Sequence, residues 1–387
     1  MIDAYFASIP AMILTAGLLV GLSGALLGSF LVLRGAAMLT DAISHAIVLG
    51  IVTVWLLTGH LSGPVQLAGA VVTGLVTVAL TQAVHRTGLV RMETSIGLIF
   101  PAMFALGVLL INLNARNLHL DVDAVLLGEI AFVWIDTVPV LGQPVPVANL
   151  ALAAVFVINL GFVLLFWKEL KLATFDPALA TALGFAPGVL FHALLALTSV
   201  TAVASFEAVG AILFIAFVIT PPATAFLLTR VLSRMVLIAM AVAALSCLSG
   251  YALAVWWDVN IGAMMAVMTG MFFTTALIVG PQDGLIAGAL RKRREARRID
   301  SLTLIMHLAA HEDTASAGDE NTRAALTSDL GWPDARARAA LRSALDGGLI
   351  LRQPGAGAGK PTLHLTDAGR ARAHALSPTG RIAAPAK

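Results

Sequence analysis

The chain has 387 residues, 59% of them hydrophobic and 12% charged, with a formal net charge of +2 and a single cysteine. A soluble domain carries roughly a quarter charged residues, so an ordinary soluble globular protein is excluded, and one cysteine excludes an intramolecular disulfide. The charge is also uneven: residues 1–290 hold 8 Lys/Arg against 12 Asp/Glu, and the last 97 hold 16 against 10.

From the N-terminus, residues 1–10 carry no Lys or Arg and the apolar run 11–33 is longer than the core of a secretory leader, so the first element reads as a membrane span. Further apolar runs fall at about 41–59, 64–84, 94–112, 123–139, 147–167, 187–205, 208–228, 235–256 and 261–280, most of them near the roughly 20 residues that a spanning helix needs. Arg34, Arg86 and Arg91, Lys168 and Lys171, Arg230 and Arg234, and the run 291–298 mark cytoplasmic ends. Parity then requires that 123–139, with Asp123, Glu129 and Asp136, does not cross, and predicts an interfacial or re-entrant helix there. The expected fold is an all-α polytopic membrane protein of about nine transmembrane helices in the inner membrane, with its C-terminus cytoplasmic. Cys247 lies inside an apolar run and reads as a small packing residue.

The loop 168–187, KELKLATFDPALATALGFAP, predicts a short amphipathic helix that starts after Asp176-Pro177, with Asp176 as N-cap, and ends at Gly184 and Pro187. It reads as a docking element for a soluble partner or as a connector lying on the membrane. After Pro281 the composition switches. Residues 1–290 form a membrane domain, 291–299 a basic juxtamembrane linker, 300–376 a soluble domain and 377–387 a disordered tail. Helices at 302–311, 323–330 and 334–347 followed by a hairpin over 349–351 and 363–365 give a small winged-helix-like α+β pattern.

Asp41 and His45 stand i, i+4 in RGAAMLTDAISHA and so share a helix face. Carboxylate with imidazole suits Mn2+, Fe2+ or Zn2+, and ionisable groups in a span are costly enough that they normally face a pathway or a partner. Spacing alone equally allows Asp41 as a helix-start residue beside Arg34, with His45 bonded to a carbonyl. Glu207 lies among small and hydroxyl residues ahead of Pro221-Pro222, as a pathway ligand or as a group at the outer interface. His119, Asp121 and Asp123 read as a solvated loop, or as an outer vestibule that concentrates cations. The stretch PGAGAGKPT fails as a phosphate loop because Pro354 replaces the first Gly and Pro361 the Ser/Thr. With no nucleotide motif or enzymatic signature, the chain does not read as an enzyme, and uphill transport would need energy from elsewhere.

Residues 1–290 resemble the ABC-3 type membrane permeases of manganese, zinc and iron importers. The likeness rests on LVLRGAAMLTDAISHAIVLG, SIGLIFPAMFALGVLL, FDPALATALG, SFEAVGAILFIAFVITPPATAFLLT and IGAMMAVMTGMFF, in that order. The resemblance implies a homodimer or a pair of similar permeases over two cytoplasmic ATPase subunits, and an extracellular or periplasmic metal-binding protein that delivers the ion. Nothing is bound permanently: Mn2+, or Fe2+ or Zn2+, is cargo, and SFEAVGAIL with PPATAFLL is nearer the manganese/iron branch. It also implies that Asp41 and His45 match metal-pathway positions. Phe175, Asp176, Pro177, Ala180 and Gly184 match the helix that seats in the ATPase. Against a site near mid-membrane, Asp41 stands only about two turns from Arg34. HLAAHE and LTDAGRARA resemble the DNA-binding domain of iron- and manganese-dependent repressors. Without a dimerisation domain or a full ligand set after it, a regulatory or protein-docking tail is preferred to DNA binding. The alternative reading is a membrane-anchored, metal-responsive regulator that binds DNA.

Overall fold

Crossing a bilayer as a helix takes about 30 Å of apolar chain, and nine helical segments among the described residues are long and apolar enough. The structure is a computed structural model and describes residues 9–59, 64–114, 130–140, 143–281, 284–312, 321–353 and 361–376. The chain divides into two compact units, Met1–Gly284 and Leu285–Lys387.

The first unit contains α1 (Ile9–Leu33), α2 (Met38–Thr58), α3 (Pro64–Arg86), α4 (Met92–Asn114), α5 (Val147–Leu165), α6 (Trp167–Phe175), α7 (Pro177–Ala182), α8 (Pro187–Leu228), α9 (Leu232–Trp257) and α10 (Ile261–Val279). At 42 residues α8 would reach about 63 Å, twice the hydrocarbon thickness, so it cannot be a single straight crossing. Gly210, with φ 77° and ψ 169°, breaks it, and segments apolar enough to cross lie at Pro187–Phe206 and Ala208–Leu228. Only a residue without Cβ adopts that backbone readily.

Helix α1 is the most buried span and packs on α5, α8 and α9. Its glycines allow the close approach: a Cβ on Gly24 would lie 3.3 Å from the Phe217 carbonyl carbon, and one on Gly28 would collide with the Val218 carbonyl. The opposing chemistry is proline. Pro221 and Pro222 lack N–H groups, so the carbonyls of Phe217 and Val218 have no helical donor, and the freed Val218 oxygen turns toward Gly28. On the other side, Cys247 is fully buried, and a Cβ on Gly17 would lie 2.8 Å from its Sγ. The cysteine therefore packs, as its place in an apolar run indicated.

Two expectations need correction. The interfacial or re-entrant helix expected over 123–139 is absent from its described part. Residues Ile130–Phe132 form a single 3-10 turn, and β1 (Thr137–Val140) pairs antiparallel with β2 (Gln143–Pro146), Thr137 opposite Pro146. TVPV and QPVP alternate β-branched residues with prolines, which suits a two-stranded edge and not a helix. Second, the loop after α5 is not open chain up to Asp176. Trp167–Phe175 is itself helical, because α5 ends at Phe166 and KELKLA are good helix formers.

The second unit comprises α11 (Leu285–His311), α12 (Arg323–Asp329), α13 (Asp334–Asp346), β3 (Ile350–Gln353), β4 (Thr362–Leu365) and α14 (Asp367–Leu376). The helix expected at 302–311 starts at Leu285, so the basic run 291–298 is helical. Its Arg, Lys, Ala and Glu are strong helix formers with Gly288 the one weak point. Leu304, Ile305 and Leu308 pack with Leu326, Leu341, Ile350, Leu363 and Leu365 in a core of its own. The hairpin sets Ile350 opposite Leu365, placing both on the buried face.

Candidate functional site

Asp41 lies in the first turn of α2 and His45 one turn on. A carboxylate there is favoured by the unsatisfied N–H groups of the helix start, which no side chain caps. Neighbours Leu39, Thr40, Ala42, Ile43, Ser44 and Ala46 are buried, whereas Asp41 and His45 keep about a third of their side chains exposed, at 32% and 34%. Their facing atoms, Asp41 Oδ1 and His45 Nε2, are 3.4 Å apart. The spacing argument thus predicted a real contact. Ser44 Oγ donates to the Asp41 carbonyl at 2.6 Å.

The imidazole is held by α4, with ring centroids of Phe100 at 5.6 Å and Phe104 at 5.8 Å. Pro101 stands between these two phenylalanines inside the helix and leaves the Gly97 carbonyl without its helical donor. The site is off-centre: at 1.5 Å per residue, His45 lies about 10 Å along a helix of about 31 Å. Arg34 sits just before it, its Nη2 donating to the Ala173 carbonyl at 2.5 Å and its guanidinium 4.8 Å from the Phe191 ring centroid.

Glu207 lies on α8 three residues before the Gly210 break, and its side chain falls outside the described residues. His119, Asp121 and Asp123 lie outside them too. Among the described residues there is no group of three or more His, Cys, Asp and Glu that could hold a metal.

In the 175–184 stretch, Asp176 Oδ1 accepts from Leu179 N at 2.9 Å, and Pro177 is the first residue of α7, as its sequence indicated. Phe175, Leu179 and Leu183 are exposed and Ala180 is fully buried, so the short helix has one anchored and one apolar outward side. Gly184, at φ 86°, ends it.

Sequence reasoning missed a buried polar row. Asn159 of α5 is fully buried and its Nδ2 donates to Thr201 Oγ1 of α8 at 2.9 Å. Ser199 and Ser205 are also fully buried, each with a hydroxyl lacking a partner among the described residues. The available signal was an asparagine amid VFVINLGFVLL, which is costly in a membrane unless bonded across helices.

The fold agrees with that of known proteins. Residues 8–280 match the model of the ABC 3 transport family. The manganese transport system membrane protein MntD of Bacillus subtilis is 44% identical over 285 residues, which cover 73% of this chain and 96% of that one. The zinc transport system membrane protein TroD of Treponema pallidum is 40% identical over 333 residues, 86% of this chain and 91% of that one. Among solved structures, PsaBC from Streptococcus pneumoniae in complex with Fab superimposes with a TM-score of 0.60 at 25% identity, covering 73% of this chain and 98% of that chain. The resemblance read from the five sequence stretches is therefore borne out, and the chain belongs to the ABC 3 transport family as a multi-pass membrane permease.

Proposed function

We propose that this chain is the membrane subunit of an ATP-driven importer of divalent transition-metal ions, Mn2+ before Fe2+ or Zn2+. The observation that carries the reading is the Asp41–His45 pair, half-open on an otherwise buried helix face. One carboxylate oxygen and one imidazole nitrogen are ligands of the right hardness for these ions. Two such ligands grip a dication loosely enough to release it, with water completing the shell. Glu207 is a third pathway ligand in this reading, and the names of the manganese and zinc relatives support the cargo.

Energy comes from separate cytoplasmic ATPase subunits, which seat on the exposed Phe175, Leu179 and Leu183 around the 175–184 stretch. A second permease copy and an extracellular metal-binding protein complete the assembly, and the C-terminus is cytoplasmic. A winged-helix-like reading of the tail is supported by the order of α11, α12, α13 and the β3–β4 hairpin, with Thr322 bridged to Thr362. Its role is regulation or docking. A membrane-anchored DNA-binding regulator is not favoured, since transport relatives match this chain over nearly their whole length.

The test is radioactive manganese uptake in cells expressing the complex. Asp41→Ala and His45→Ala abolish accumulation while the variants still reach the membrane and co-purify with the ATPase. Wild-type uptake in both variants removes the pair from the pathway.

A further inference from the structure

The second unit pairs some of its arginines with acids and leaves others together. Arg323 and Arg338 meet Asp334, Arg336 meets Asp300, and Arg370 meets Glu312 and Asp367. Arg294, Arg297, Arg298 and Arg372 have no ion-pair partner among the described residues. All four line one cavity of about 430 Å3, with Ser301 and Ser343.

The convergence is built by the fold. Positions 294, 297, 298 and 301 fall on one face of α11 at i, i+3, i+4 and i+7, and α14 packs on α11 to bring Arg372 from more than 70 residues away. Ser343 comes from the end of α13. Ser301 is buried, at 7% exposure, and neither serine hydroxyl has a protein partner among the described residues. Four like charges around one hollow repel one another until an anion enters. Guanidinium groups present paired N–H donors that match phosphate oxygens, and serine hydroxyls add further donors. The volume lies in the range of small-ligand sites.

We infer that this cavity binds a phosphate-type anion, supplied either by the headgroup of an anionic phospholipid or by a soluble phosphoryl compound, and so gives the tail a ligand input of its own. Its arginines begin 15 residues after α10 ends at Val279, and basic clusters just beyond a span are recurrent lipid-headgroup sites. The inference does not depend on the metal pathway.

The experiment uses the full-length protein in phosphatidylcholine nanodiscs, with sodium pyrophosphate titrated calorimetrically. Saturable binding is expected, weakened about tenfold or more in Arg297→Gln/Arg372→Gln. It is unchanged in Arg342→Gln/Arg352→Gln, which removes the same charge from exposed positions outside the cavity. Repeating the titration in phosphatidylglycerol nanodiscs separates the sources: loss of pyrophosphate binding assigns the occupant to the lipid headgroup, and retention assigns it to a soluble anion. Native mass spectrometry then counts phosphatidylglycerol retained by wild type and by the cavity variant.

Equal weakening in both double variants overturns the inference, because the effect is then general electrostatics. So does the absence of saturable pyrophosphate binding combined with equal lipid retention. Binding of duplex DNA through these arginines without any pyrophosphate binding also overturns it, in favour of a nucleic-acid patch.

Discussion

Replacing Gly28 with alanine tests the closest helix contact in the membrane unit. The added Cβ would lie 2.8 Å from the Val218 carbonyl carbon and nearer still to its oxygen, against ordinary contacts of 3.4 Å or more. The obstacle is backbone, so no rotamer change relieves it, and α1 and α8 must separate by about 1 Å or more, the contact with the oxygen setting the distance. A gap of that size forfeits a quarter or more of each dispersion contact it opens, so the overpacking cost falls at about 2–3 kcal/mol, the upper part of the usual range. Gly161 of α5 is the control. Nothing lies within 4 Å of a Cβ there, and removing a mid-helix glycine stabilises by about 0.5–1 kcal/mol. Equilibrium unfolding of both variants in mixed micelles reads the difference, with opposite signs expected. A Gly28→Ala protein as stable as wild type would refute the close approach of α1 to the proline-freed carbonyl.

Three further outcomes follow from features of both units. Asp176→Ala removes the cap of α7 and costs that short helix about 1 kcal/mol, read as faster amide exchange over 177–182 and weaker co-purification with the ATPase. Leu304→Ala empties a fully buried position of the tail core and destabilises that unit by about 2–5 kcal/mol, read by limited proteolysis of the full chain after residue 284. The Arg323 guanidinium beside Asp334, helped by Arg338, holds its carboxyl below the usual carboxylate value. A lowered folded pKa means the contribution is fully present above the unfolded value near 4. It is lost as pH falls through the lower folded value, so the tail loosens in acid and Asp334→Asn flattens that part of the profile.

Much of the membrane unit was legible because the signal was long. The spans needed only runs of about 20 apolar residues, and the turn at Asp176-Pro177 carried its own cap chemistry. The Asp41–His45 contact was legible for the same reason, being set within one helix by i, i+4 geometry. What packs against it was not: Phe100 and Phe104 reach His45 through the docking of α4 on α2, which no local pattern encodes. The Gly28–Val218 approach is likewise a meeting of two distant segments. Helix α6 was hidden by its charges, which resemble a loop, and α11 because its basic run read as a linker. The strands after Ile130 were hidden by an apolar stretch too short to separate helix from hairpin.

Arg34 adds a polar connection between two regions that also share the apolar core. Its guanidinium leaves the α1–α2 turn and ends on the Ala173 carbonyl in the last turn of α6. Hydrogen bonds tolerate stretching of only about half an ångström before they weaken steeply. A larger shift of α6 and the adjoining α7 must therefore either snap this strap or drag along the start of α2, four residues beyond Arg34. The outward-facing short helix and the helix bearing the acid–imidazole pair are in this way linked by a directional polar strap in addition to the packing of Phe30 on Trp167.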